Sequence, residues 1–338
     1  MNIRDRQALR RRGAEALSRA AYSPGRLALI HTAAAAGLSL ILTILNVLLT
    51  DRIGDTGGLS GMGLRTVLTT AKSLIGILNL IAVTFWEIGF VYAALKMARQ
   101  QRAEPADLLQ GFRNFWPVLR LKLLEGAIYL AVTILCINIG STVFLMTPFA
   151  APLAEAIQTM DPAGVTPEAL MAALEEILVP LYLVMGLVTG VILVPILYRF
   201  RMARYLIMDD PSMGALRALG TSNALMRNNR GALLRLDLSF WWYYGLQLLC
   251  LGLYYGDVIA AALGITLPVS STAALFLCFG IYCVGMLLLA RFFVSPVATT
   301  YAVAYDTLRE MRRDAEPRLV RNFPWDFLPE QEDPKDSQ

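Results

Sequence analysis

Six stretches of this 338-residue chain are apolar for about twenty residues or more, the length of helix that crosses a hydrocarbon core about 30 Å thick. They lie near 27–50, 73–95, 118–146, 177–198, 232–255 and 272–294. Each is continuous and rich in Leu, Ala, Val and Ile, unlike the short alternating segments of a lipid-facing barrel, so helices are expected. With 56% hydrophobic and only 17% charged residues, the chain lacks the polar surface of a soluble domain. The fold class expected is all-α, a polytopic membrane protein with six transmembrane helices arranged as three hairpins.

The charges sort by side of the membrane. Residues 1–26, 96–122, 199–235 and 291–338 together hold 27 of the 30 Lys and Arg, and the other three are Arg52, Arg65 and Lys72. Basic residues in short loops stay on the cytoplasmic side, so these four segments and both termini are expected inside. The 147–176 loop carries five acids and no base, which places it outside. The arginine-rich N-terminal segment and the long first apolar run do not read as a cleavable signal peptide, so the first helix is expected to stay as an anchor. Residues 1–308 read as one membrane domain and 309–338 as a cytoplasmic tail that is disordered beyond Leu328.

A candidate amphipathic helix precedes the first, third and fifth runs on the cytoplasmic side, giving three units of surface helix, outward span and inward span. In PADLLQGFRNFWP, Leu108, Leu109, Phe112, Phe115 and Trp116 recur at helical spacing and form one apolar stripe expected to lie flat at the interface. The N-terminal helix places Leu9, Gly13, Ala16, Leu17 and Ala20 on one face, and the third, with Asp210 as N-cap and Pro211 after it, places Met213, Leu216, Leu219 and Met226. Arg227–Gly231 then turns a surface helix into a crossing one. Outside, residues 51–63 are glycine-rich, and a helix starting after Thr166-Pro167 is expected to extend the fourth span outward.

Stretches AEAL (14–17), GFRNF (111–115), YLIMDDP (205–211), SNALMRNNRG (222–231) and LDLSFWWY (236–243) resemble, in order and spacing, a family of bacterial multi-pass membrane proteins, the domain of unknown function number 975. The chain departs from that pattern at VPILYRFRMARY, where a proline-glycine pair is frequent. It departs again at Trp241, where a small residue is usual, and at VSPVATTYAVAYDTL, where a Pro-Tyr pair is usual. The resemblance is therefore to a divergent member. It implies the architecture and a place in the bacterial plasma membrane, and no activity.

Charges inside the runs are the candidate functional residues. Glu87, Glu125 and Asp237 share a depth about 6 to 12 Å from the cytoplasmic edge, counted at 1.5 Å per residue. His31, Arg235 and Arg291 fall in the same layer. Such acids are costly unless paired or hydrated. Arg235 and Arg291 are candidate partners for Asp237, although Arg235 itself lies about 200° around the same helix from it. Two readings follow: an inward-open polar cavity for an ion or small solute with Glu87 deepest, or structural pairs that lock helix ends.

The four cysteines, Cys136, Cys250, Cys278 and Cys283, sit in apolar runs without a CxxC pair, and there is one histidine, so neither a metal site nor a cofactor is expected. No hydrolase, metalloprotease or nucleotide-binding motif occurs, and topology and anionic headgroups explain the arginines without nucleic acid. The functional expectation is a non-enzymatic scaffold or accessory protein. It would bind the inner leaflet through its amphipathic helices, and a membrane-protein partner through those helices or the RNFPWDFLP segment. The alternative is a small-solute or ion transporter.

Overall fold

The computed structural model describes residues 3–20, 23–54, 62–151, 167–256 and 271–322, and every regular element among them is helical. The acidic loop at 152–166, the linker at 55–61 and the tail beyond 322 lie outside the described residues. In chain order the helices are α1 (Arg6–Ser18), α2 (Pro24–Gly54), α3 (Met62–Ala98), α4 (Gln110–Arg113), α5 (Phe115–Leu145), α6 (Pro167–Phe200) and α7 (Ala203–Asp209). There follow α8 (Ala215–Met226), α9 (Arg230–Leu238), α10 (Trp241–Tyr254), α11 (Ser271–Leu289) and α12 (Ser295–Asn322).

Among the described residues, five helical stretches are long and apolar enough to cross a membrane: Pro24–Thr50, Gly63–Ala98, Phe115–Leu145, Leu178–Asp209 and Phe276–Arg313. The run at 232–255 is not one helix, because it breaks at Ser239 and Phe240 between α9 and α10. The Ser239 hydroxyl donates to the Leu236 carbonyl at 2.7 Å, competing with the helical ladder. At about 1.5 Å per residue, the 14 residues of α10 span roughly 21 Å, short of a full crossing. Two prolines, Pro180 and Pro195, sit inside α6. Its first described residue, Pro167, is already helical.

Helix α2 packs on α3, α5 on α6, and α10 on α11. The segments that precede α2, α5 and α9 close a ring between these pairs. Helix α1 rests on α12, the Pro105–Leu109 3-10 turn and α4 rest on α3, and α8 rests on α6 and α7. A small residue permits each approach. A Cβ on Gly13 would meet the Thr300 hydroxyl at 2.7 Å, one on Gly111 would meet the Phe85 carbonyl at 2.0 Å, and Ser222 donates to the Arg199 carbonyl at 2.9 Å. Ser222 also accepts the Met202 N–H at 3.1 Å.

The core sits at the basic end of the bundle. Leu9, Leu27, Phe85, Leu95, Leu121, Ile207, Leu233 and Tyr305 belong to one buried cluster drawn from all the units. Along the shafts of α2 and α6 the most apolar stretches contain no buried residue. Ile41 of α2 and Leu183 of α6 stand exposed there, as do Leu80 of α3, Leu130 of α5 and Leu248 of α10 on theirs. In water such surface is unfavourable by about 25 cal/mol per Å², so these shafts require hydrocarbon as solvent.

Several expectations change. Leu9, Gly13 and Ala16 of α1, and Leu219 and Met226 of α8, are buried, so these faces meet protein, while Leu216 is exposed. Helix α8 starts at Ala215 after Gly214. Asp210 instead closes a turn, accepting from the Ser212 N–H at 3.1 Å. The predicted surface helix over 105–117 is a 3-10 turn followed by the single turn α4, ended by Asn114 (φ −95°, ψ 43°). Leu108 is buried against the core, while Leu109, Phe112, Phe115 and Trp116 are exposed. Phe112 and Phe115 still flank Phe85, with ring centroids 5.6 and 5.0 Å away. The Arg227–Gly231 turn is present, with Asn228 in the left-handed region (φ 69°) and the Asn229 amide donating to the Leu225 carbonyl at 2.9 Å.

Candidate functional site

After α6 ends at Phe200, Arg201 and Met202 leave the helix before α7 resumes at Ala203. That corner aims Tyr198 and Arg201 at Asp237 on α9. The Arg201 guanidinium holds the carboxylate by two bonds, Nη2 to Oδ1 at 2.9 Å and Nη1 to Oδ2. Tyr198 donates to Oδ2 and Tyr301 of α12 donates to Oδ1. The Tyr244 and Tyr301 hydroxyls are 2.8 Å apart, and because the Tyr301 proton goes to Asp237, Tyr244 is the donor of that pair. The guanidinium also lies 4.4 Å from the Tyr301 ring centre and 5.3 Å from that of Tyr198.

An ionised carboxylate accepts about four hydrogen bonds, and Asp237 has four donors. Its side chain is 14% exposed and that of Arg201 is 17%. The group is thus filled by protein and tied to three elements. This is the chemistry of a structural lock.

A second lock joins α3, α7 and α12. Helix α3 ends with Gln100 in the left-handed region (φ 58°), which lets the Gln101 N–H return to the Lys96 carbonyl at 2.8 Å. Arg99 is bidentate to Asp306, at 3.1 and 2.7 Å, and reaches Asp209 at 2.6 Å. Asp209 also accepts from Tyr305 at 3.0 Å and from Arg309. The hydrogen bond to Asp306, ahead of that to Asp209, holds the Arg99 pKa above its ordinary value. Tyr205 and Tyr305 stack beneath, with centroids 5.4 Å apart.

The residues singled out from sequence do not converge. Glu87 is exposed on α3. Arg235 is exposed, and Arg291 lies against the Gly25 turn, so neither pairs with Asp237; the partner is Arg201. His31 is half-buried and stacked on Phe90 with centroids 4.5 Å apart, and its carbonyl accepts from the Trp86 indole at 2.9 Å. Glu125 is buried and paired to Lys122 at 2.8 Å. It lines a cavity of about 290 Å³ that also touches Tyr198 and Arg201. Of the predicted group, only Glu125 and Asp237 therefore share a neighbourhood.

Arg99, Arg201, Asp209, Asp306 and Arg309 were not singled out in the sequence. One signal marks them: Asp209 and Asp306 are acids in arginine-rich segments that otherwise serve topology. The four cysteines are free, with Cys136 and Cys250 buried. No curated protein and no solved structure matches the chain. A family model described as "Protein of unknown function (DUF975)" matches residues 30–312. That match takes in both locks and most of each long apolar helix described, and the chain belongs to the DUF975 family.

Proposed function

We propose that this is a non-enzymatic membrane protein of the bacterial plasma membrane. Its locked basic end forms a rigid helical platform at the cytoplasmic leaflet, acting as a scaffold or accessory to another membrane protein. In this reading the run at 232–255 crosses as a broken sixth span, both termini are cytoplasmic, and anionic inner-leaflet lipids surround the platform. The observation that carries it is the filled carboxylate of Asp237: four protein donors leave that acid no free acceptor for a transported ion.

The test compares wild type with Asp237→Asn, which leaves Arg201 uncompensated. The platform reading predicts a melting temperature lowered by about 5 °C and ion flux in wild-type proteoliposomes no greater than in empty ones. A variant that melts like wild type but abolishes a wild-type flux would reverse the assignment.

A transporter is the second reading, on two observations. The helix break at Ser239 and the π-helical turn Ala290–Val294 are the kind of irregularities that line pathways in membrane proteins. That reading requires the flux just described.

A further inference from the structure

The cavity of about 290 Å³ beside the Asp237 lock lies between the basic ends of α5 and α6. Its polar lining is Lys122, Glu125, Arg201 and Arg204, and Tyr129, Leu197 and Phe200 supply most of the rest. Two of the cations are neutralised within the protein, Lys122 by Glu125 and Arg201 by Asp237. Arg204 has no such acid among the described residues. Its Nε is buried with no hydrogen-bond acceptor, and its guanidinium is 5.5 Å from the Tyr205 ring centre.

A buried donor on a fixed cation is unfavourable until an acceptor fills it. The missing acceptor should carry one negative charge, matching the single uncompensated guanidinium. It should also be small, because 290 Å³ is at the lower end of ligand cavities, about 300 to 1,000 Å³. Arginine forks suit phosphate oxygens best. Leu197 at the rim is exposed, and with Phe200 it offers apolar surface to a group that continues into hydrocarbon.

We propose that this cavity binds the phosphodiester of an anionic phospholipid, with Arg204 as its principal ligand and Lys122 at its side. A monoanionic headgroup such as phosphatidylglycerol matches the charge, whereas a choline headgroup brings a second cation toward Arg204. The proposal rests on the reading that the basic end lies at the inner leaflet. It can fail separately, because the Asp237→Asn melting test does not involve lipid binding.

The experiment uses the purified full chain in detergent, titrated with phosphatidylglycerol, phosphatidylcholine or inorganic phosphate and read by native mass spectrometry. Wild type should bind phosphatidylglycerol at least about tenfold more tightly than either other probe. Arg204→Gln should lose about tenfold of that affinity, the scale of one charge-assisted hydrogen bond, while Arg217→Gln, at an exposed arginine on α8, should lose none. Glu125→Gln works in the opposite direction. It removes the acid from the lining and should tighten phosphatidylglycerol binding, so the proposal stays testable if Arg204→Gln does not fold. Three outcomes overturn it: Arg204→Gln or Glu125→Gln binding as wild type, the two lipids binding alike, or inorganic phosphate binding as tightly as phosphatidylglycerol, which would assign the site to a soluble anion.

Discussion

The two ends of this molecule are built on different principles. At the basic end, Leu121, Ile207, Leu233 and Tyr305 are sealed among helices from every unit, and Arg99, Asp237, Tyr301 and Asp306 find partners far away in sequence. Along the shafts, α2 and α6 leave their most apolar stretches uncovered. Protein solvates one region and hydrocarbon must solvate the other. In lipid, apolar area alone does not drive helices together, because lipid tails are as apolar as leucine. Specific assembly therefore has to come from the basic end, from close backbone approach and paired charges.

That contrast can be broken by substitution. The largest effect is expected from Asp237→Ala, which strands Arg201 among three tyrosines and should cost about 3 kcal/mol. Chemical denaturation in mild detergent measures it, and replacing both residues by leucine should recover most of the loss. Next comes Gly111→Ala, whose Cβ would collide with the Phe85 carbonyl and cost about 1 to 3 kcal/mol. Gly186→Ala and Gly190→Ala provide the shaft control. A Cβ at either meets nothing within 4 Å, and both variants should melt at or slightly above wild type.

Smaller again is Arg99→Gln. With 31% of its side chain exposed, Arg99 gains less from its pairs than a sealed group, and about 1 kcal/mol is expected. The loss should be local. Hydrogen exchange should quicken in the part of α12 around Asp306 and leave α5 unchanged.

The sequence made the shafts legible because an apolar run longer than twenty residues has few folded solutions. The charge distribution likewise marked out the end at which the core forms. Neither signal reveals the break at Ser239. LDLSFWWY reads as continuous apolar helix, and the interruption depends on a hydroxyl turned back to Leu236 and on Asp237 held by Arg201. Asp237 was recognisable as a charge needing a partner. Its partner was not, because Arg201 lies past the end of the fourth apolar run and returns to the site only through the corner between α6 and α7.

The second lock was hidden for a similar reason. Arg99 meets residues 110 and 207 positions away, and periodicity carries no information at that separation. The amphipathic faces of α1 and α8 were partly visible as apolar spacing, but spacing does not say whether lipid or protein covers a face. Burial of Leu9 and Leu219 supplies that answer.

The most direct test of the account sets Leu121→Ala against Leu187→Ala in the same detergent. Leu121 is fully buried at the basic end, and Leu187 is 70% exposed on the α6 shaft. The first should lose about 2 to 4 kcal/mol of unfolding free energy through the cavity it leaves. The second should lose less than about 0.5 kcal/mol, since detergent surrounds that leucine before and after unfolding. Equal losses, or a larger loss at Leu187, would contradict a molecule held together at its basic end.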